Sequence, residues 1–224
     1  MKNKYLLLLL ATAVFGVGLG YLGNRLENRI YAFHGSLLEP PIPAGSVSLT
    51  DQHGRTFDLD EQRGKVVMMF FGYTSCPDVC PATLARFKQI AALLDDRLDR
   101  VRFVMITVDP ERDTVEKLDA YLSAFHPDFI GLRGSEAELN AVYKRYWIYV
   151  EAEQHAHTDE PEAREEPGTP GYLVAHTPII LLIDPEGNLR LTYSSDMDAE
   201  FIAEDIAYLL DASANLRYSD LAKR

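Results

Sequence analysis

Apolar positions change period along the chain, and each change marks an element. From Ser46 to Gly64, "SVSLTDQHGRTFDLDEQRG" alternates apolar and polar residues around His53-Gly54, the pattern of a β-hairpin. "KVVMMFFGY" is a continuous apolar run, as a central strand covered on both faces requires. From Pro81 to about Leu94 the period becomes helical. Leu84, Phe87, Ile90, Ala91 and Leu94 share one face, and Pro81 suits the first turn, where no N–H is needed. "VRFVMITV" is a second apolar strand. "DPERDTVEKLDAYLSAF" begins a helix, with Asp113 and Glu116 spaced as a capping box, and "GSEAELNAVYKRYW" repeats the spacing with Ser135 and Glu138. "WIYVE" reads as a short strand. Residues 151–172 are acidic, rich in Pro and Gly and without period, and read as a solvated loop inserted in the domain. "PIILLID" is a further buried strand, "PEGN" a turn, "LRLTYS" a strand returning through it, and "AEFIAEDIAYLLDA" a last amphipathic helix.

Strand, helix, strand, helix, strand hairpin and helix is the order of an α/β, thioredoxin-like fold, here with an added N-terminal β-hairpin. The domain expected spans residues 46–213, with a tail at 214–224. Its first apolar strand runs into a helix, and that sheet edge is where α/β proteins place their chemistry.

The N-terminus changes the picture of where this domain works. Lys2 and Lys4 precede the apolar run Tyr5–Leu22, eighteen residues long. At helical rise it spans roughly 27 Å, close to the hydrocarbon thickness of a bilayer. It predicts a single transmembrane helix, with residues 1–4 cytoplasmic and the remainder facing the periplasm. The absence of a clear small-x-small site argues against cleavage as a signal peptide. Residues 23–45, with Pro40, Pro41 and Pro43, read as an extended tether.

Charge removes one class of partner. The chain carries a net −12, and residues 36–224 hold 18 basic against 33 acidic side chains, a net of −15. No basic stretch is present to neutralise phosphates, so nucleic acid is not a partner. A basic protein patch or a cation is favoured instead.

The chain has two cysteines, Cys76 and Cys80, in "FFGYTSCPDVCPATL". Three chemistries suit such a pair. A structural disulfide would close a very short loop and restrict the unfolded chain by only about 2 kcal/mol or less. A redox dithiol at a helix start gains thiolate character from the free N–H groups there, although thioredoxin-like oxidoreductases space their cysteines by two residues and not three. A metal site needs more donors. Two thiolates do not complete a tetrahedral zinc site, whereas Cu(I) is soft and is satisfied by two thiolates and an imidazole.

Six histidines compete for that role. His34 falls in the tether, His53 in the hairpin turn and His126 before Pro127 at a helix end. His155 and His157 lie in the acidic loop, where an H-x-H pair among carboxylates collects a cation weakly at best. His176 directly precedes the buried strand that neighbours "VVMMFF" in a thioredoxin-like sheet. The loop entering that strand faces the dithiol, and Pro178 stands where such folds often hold a cis-proline. Asp109 and Asp113 read as a turn residue and a helix cap. Met68, Met69 and Met105 read as core, and Met197 as a loop residue.

"FFGYTSCPDVCP", "TVDPERDT" and "AHTPIILLIDPEG" together resemble the Sco/SenC copper proteins in order and spacing, over roughly Ser46–Leu210. The resemblance implies an anchored, thioredoxin-like carrier of one copper ion, Cu(I) or Cu(II), that helps load the CuA centre of cytochrome c oxidase. It implies Cys76, Cys80 and His176 as copper ligands and Asp78 as a second-sphere or partner-contact residue. Cys76 and Cys80 would form a redox-active disulfide when metal-free. The implied partners are the CuA-bearing oxidase subunit and other periplasmic copper chaperones or thiol reductants. Pro178 departs from the aliphatic residue usual there and brings this edge closer to thioredoxin. A thiol–disulfide reductase that maintains the oxidase cysteines, or a redox or copper sensor, is the alternative function.

Overall fold

The computed structural model describes residues 31–154 and 172–221. The chain divides into two units, Met1–Phe33 and His34–Arg224. In the described part of the first, Tyr31 and Phe33 form an edge-to-face ring pair at 5.0 Å. The anchor expected over Tyr5–Leu22 lies outside the described residues. Among those described, no helix is long and apolar enough to cross a membrane.

The elements of the second unit run β1 (Ser36–Pro43), β2 (Ser48–Asp51), β3 (Thr56–Asp58), β4 (Val66–Gly72), α1 (Val79–Leu94), β5 (Val101–Thr107), α2 (Val115–Ser123), β6 (Ile130–Arg133), α3 (Glu136–Arg145), β7 (Val150–Gln154), β8 (Tyr172–His176), β9 (Ile179–Ile183), β10 (Asn188–Ser194) and α4 (Ala199–Leu221). Eight strands form one sheet in the order β1-β10-β9-β4-β5-β6-β2-β3, and β7 and β8 form a separate pair. β4 pairs parallel with β5 and antiparallel with β9. This is the thioredoxin-like order expected, with the β2–β3 hairpin added at the β6 edge.

β4 sits at the centre because it is apolar on both faces. All seven of its residues are buried. Phe70 meets Phe87 of α1 edge-to-face at 5.4 Å, while Phe71 turns the other way to Tyr143 of α3 and Tyr146 at its C-cap, at 6.0 and 6.2 Å. Alternate residues thus anchor two helical layers, and each large apolar side chain removed from water contributes roughly 1.5–3 kcal/mol. α1 buries Leu84, Phe87, Ile90, Ala91 and Leu94, the face expected from the sequence. The methionines expected in the core are there: Met68, Met69 and Met105 are buried.

The hairpin turn is organised by Asp51, whose carboxylate accepts from the amides of His53 and Arg55 and from the Arg55 side chain. Gly54 follows at φ +74°, a conformation that disfavours any side chain. α3 carries the capping box expected between Ser135 and Glu138.

Four expectations change. Residues 36–43 are not tether but β1, paired antiparallel with β10 at the sheet edge. An edge strand with an irregular register between Leu37 and Ile42 tolerates Pro40 and Pro41, whose missing donors cost no ladder bond. α2 is capped by Thr114 and not Asp113: Thr114 Oγ1 accepts from the Lys117 amide, because the Asp113 side chain is turned inward. The margins of the acidic segment are strands, Val150–Gln154 against Tyr172–His176, so backbone pairing overrides its polar composition; residues 155–171 lie outside the described residues. Finally, α4 runs to Leu221, well into the expected tail, since no Gly or Pro interrupts it.

Candidate metal centre

β4 ends at Gly72, and the chain turns through Tyr73–Asp78 into α1. Pro81 falls in the first helical turn, where no intrahelical donor is lost. The Cys76 amide donates to the Tyr73 carbonyl at 3.2 Å. Cys80, the second residue of α1, donates its amide to Cys76 Sγ at 3.5 Å. That amide is one of the helix-start donors without an intrahelical acceptor, so the fold aims it at sulfur. Neither thiol is in a disulfide; Cys76 is half-buried and Cys80 fully buried. The hydrogen bond with Cys76, then burial, pushes the Cys80 thiol far above its ordinary value. Gly72 makes the approach possible: a Cβ there would lie 2.8 Å from Cys80 Sγ and 2.8 Å from the Phe70 ring.

Behind this segment stands Asp113, 0% exposed. Its carboxylate accepts from the Thr74 amide at 3.2 Å and from the hydroxyls of Thr74 and Thr107, each at 2.6 Å. Burial raises its pKa, and those hydrogen bonds oppose the shift. Asp109, also buried, pairs with Arg112, whose guanidinium lies over the Tyr73 ring at 5.8 Å. The Tyr121 hydroxyl is buried with no hydrogen-bond partner among the described residues. Burial raises its pKa, and Cys80, Cys76 and Asp113 add to the shift.

The sequence does not single out Gly72, Tyr73, Thr74, Thr107 or Tyr121. Asp113 is visible in it but assigned to the wrong task. The one signal available is a cluster of small hydroxylic and acidic residues just beyond the apolar ends of β4 and β5, where core gives way to polar contacts.

β9 brings the other candidate to this edge. Its register pairs Ile180 with Phe70 and Met68 with Leu182, so the residues just before Ile179 overrun the end of β4, where the cysteine segment departs. β8 ends at His176, paired with Val150. The Val174 amide donates to the Tyr73 hydroxyl at 3.3 Å, and Thr177 and Tyr149 exchange two hydrogen bonds. The backbone of His176 is therefore held beside the cysteine turn, while its side chain lies outside the described residues. Pro178 follows in a trans linkage: among the described residues the cis peptide bond is Glu39–Pro40, so the cis-proline expected at 178 is not present.

Asp78 is the N-cap position of α1, exposed, with no side-chain capping bond. His53 and His126 lie on the hairpin side of the sheet, within 4.0 Å of Asp119 and Asp128 respectively. His34 stacks on Phe201 of α4 at 4.5 Å. His155 and His157 lie outside the described residues. Met197 is partly buried between β10 and α4. Among the described residues no three His, Cys, Asp or Glu side chains converge as a metal site. Two close, shielded thiols form a soft donor pair that suits Cu(I), and His176 is the imidazole-bearing residue that strand register brings to the same edge.

The chain is similar to known proteins along most of its length. The SCO1/SenC family model matches residues 39–211. The chain is 35% identical over 205 residues to the mitochondrial SCO2 homolog of Mus musculus, covering 88% of this chain and 76% of that protein. Among solved structures, copper-bound ScoI of Bradyrhizobium japonicum is 33% identical, with a TM-score of 0.62 over 74% of this chain and 98% of its own. The apo Sco1 protein of Thermus thermophilus is 33% identical, with a TM-score of 0.68 over 81% and 99%.

Proposed function

The chain belongs to the SCO1/SenC family, and we propose on that premise that it is a membrane-anchored carrier of one copper ion that loads, or prepares, the CuA site of cytochrome c oxidase. Relatives have been solved with copper bound, and Sco proteins are a family of cytochrome c oxidase assembly proteins. The observation that carries the reading is the pair of unbridged thiols where the chain enters α1, with the Cys80 amide on Cys76 Sγ and the strand ending at His176 beside them.

In this reading Cys76 and Cys80 bind copper as thiolates and His176 supplies the imidazole. Copper is the cargo; the chain's own residues shape and shield its seat. Gly72 lets the Cys80 sulfur lie against β4, burial keeps water from Cys80, and Tyr73 and Asp113 hold the segment between them. Exposed Asp78 lies at the rim, where an acceptor would dock, and the net of −15 over residues 36–224 favours a basic face on that acceptor. The partners proposed are the CuA-bearing subunit, a copper donor and a thiol reductant that keeps the pair open. Tyr5–Leu22 is the proposed anchor in the inner membrane, with His34–Arg224 in the periplasm.

A thiol–disulfide reductase is the competing reading, since the pair is unbridged in a thioredoxin-like sheet. Such an enzyme would attack through Cys76, the half-buried thiol of the pair, so burial of Cys80 does not decide between the readings; the strand that ends at His176 beside the pair and the relatives solved with copper favour the carrier. Copper titration of the reduced domain, with X-ray absorption to count sulfur and nitrogen donors, tests the proposal. One ion per chain on two sulfurs and at least one nitrogen is expected. Unchanged stoichiometry and affinity in the Cys76→Ser, Cys80→Ser double variant would refute it.

A further inference from the structure

Asp113 is fully buried, and no cation pairs with it among the described residues. Its donors among the described residues are neutral: the Thr74 amide, the Thr74 hydroxyl and the Thr107 hydroxyl. Two hydroxyl contacts of 2.6 Å are in the range of an ionised acceptor. A buried carboxylate with only neutral donors is costly to keep, and removing the charge is often neutral or favourable for stability. Thr74, which it grips by both main chain and side chain, stands two residues before Cys76. Thr107 ends β5, so the grip also fixes the cysteine segment to the sheet.

Resting on the copper reading above, we infer that Asp113 is a positioning residue for the metal seat. It acts through Thr74 to fix the turn that carries Cys76, and it lends the pocket a buried negative charge that favours a cation between the sulfurs. The charge explains why a carboxylate stands here and not an amide. Either side chain can accept from Thr107, but only the carboxylate accepts from all three donors and carries charge. A bound cation offsets that charge. Asp113 touches neither copper nor sulfur, and its effect is read through geometry and field.

Two variants separate these contributions. Asp113→Asn keeps the shape and removes the charge, while Thr74→Val keeps the charge and removes the hydroxyl tie. Each is compared with wild type by Cu(I) competition with a chromophoric chelator. Each is also tested, metal-free, by hydrogen exchange at the Cys76 amide, which the turn holds on the Tyr73 carbonyl, with circular dichroism to verify the fold. Asp113→Asn is expected to lower Cu(I) affinity on the order of tenfold or more, as loss of one partly buried charge interaction implies. It should speed exchange at the Cys76 amide several-fold, because the Thr74 tie loosens. Thr74→Val is expected to lower affinity by a smaller factor and to alter the Cu(II) absorption spectrum through the changed position of Cys76. Wild-type affinity, spectrum and amide exchange in both variants would overturn the inference and leave the copper reading standing. Wild-type protein that binds no copper would overturn the copper reading itself, and the amide-exchange comparison would still judge the positioning role of Asp113. If Asp113→Asn does not fold, Thr74→Val decides alone: an unshifted spectrum and affinity overturn the positioning role.

Discussion

The hydroxyl of Tyr73 accepts the backbone amide of Val174 at 3.3 Å, joining the turn that carries the cysteines to the strand that ends at His176. Through its carbonyl the same residue also accepts the Cys76 amide. One side chain thus couples two segments about a hundred positions apart in sequence.

Tyr73→Phe removes that acceptor and keeps the ring. The buried Val174 amide loses its partner, at a cost of about 1–3 kcal/mol. Hydrogen exchange at Val174 is expected to accelerate. Cu(II) affinity should fall more than Cu(I) affinity, because Cu(II) depends more on the imidazole of the proposed site. Unchanged exchange at Val174 would show that the strand is held by other means.

His176→Ala separates carrier from reductase. A copper carrier loses a ligand and most of its Cu(II) affinity, while the rate of disulfide reduction, which needs only thiols, changes little. Copper titration and a disulfide-reduction assay on the same preparation check both halves. Full copper affinity in the variant removes His176 from the ligand set.

Gly72→Ala drives a methyl group to within 2.8 Å of both Cys80 Sγ and the Phe70 ring. Overpacking of this kind costs typically about 1–3 kcal/mol. Denaturant unfolding should show that loss, and the copper site should be distorted even where the fold survives. A variant as stable as wild type, with the same Cu(II) spectrum, would mean that α1 moves away freely.

Acid should weaken the hairpin through Asp51. Burial raises its pKa, but the Arg55 amide, the Arg55 side chain and the His53 amide together hold it below the ordinary value. A carboxylate depressed in the folded state adds stability that is fully present above its unfolded pKa, about 4. That contribution disappears as pH falls through the lower folded value. Asp51→Asn is therefore expected to be less stable than wild type at neutral pH, with the gap closing in acid. Unfolding free energies across a pH series test this; a gap that stays constant would refute it.

Much of this arrangement was legible in residue order. The run Val66–Gly72 could only be a strand covered on both faces, and the spacing of Leu84, Phe87, Ile90 and Leu94 specified the buried face of α1. The cysteine turn was legible too, as it follows directly from that strand and helix. Asp113 was misread because a capping pattern is local, and its actual partners, Thr74 and Thr107, are set by which strand ends lie side by side. β1 was missed because prolines signal a broken ladder, and only the completed sheet shows that these residues occupy an edge. The role of Gly72 was invisible for the same reason: it depends on a sulfur eight positions later meeting a strand end in space.

The pairing of β1 with β10 also bears on when the protein can finish folding. The first strand of the domain has its partner near the other end of the chain, and the buried carboxylate of Asp205 in α4 accepts from the amides of His34 and Gly35 and from the Tyr193 hydroxyl. None of these acceptors or partners exists when β1 leaves the ribosome. At about 5–20 residues per second, β1 waits on the order of ten seconds for β10 to be synthesised. Through that interval a short apolar-and-proline segment stays unpaired. The central strands can associate earlier, but the edge closes only after α4 has emerged, so a chain truncated within α4 should leave its own beginning loose.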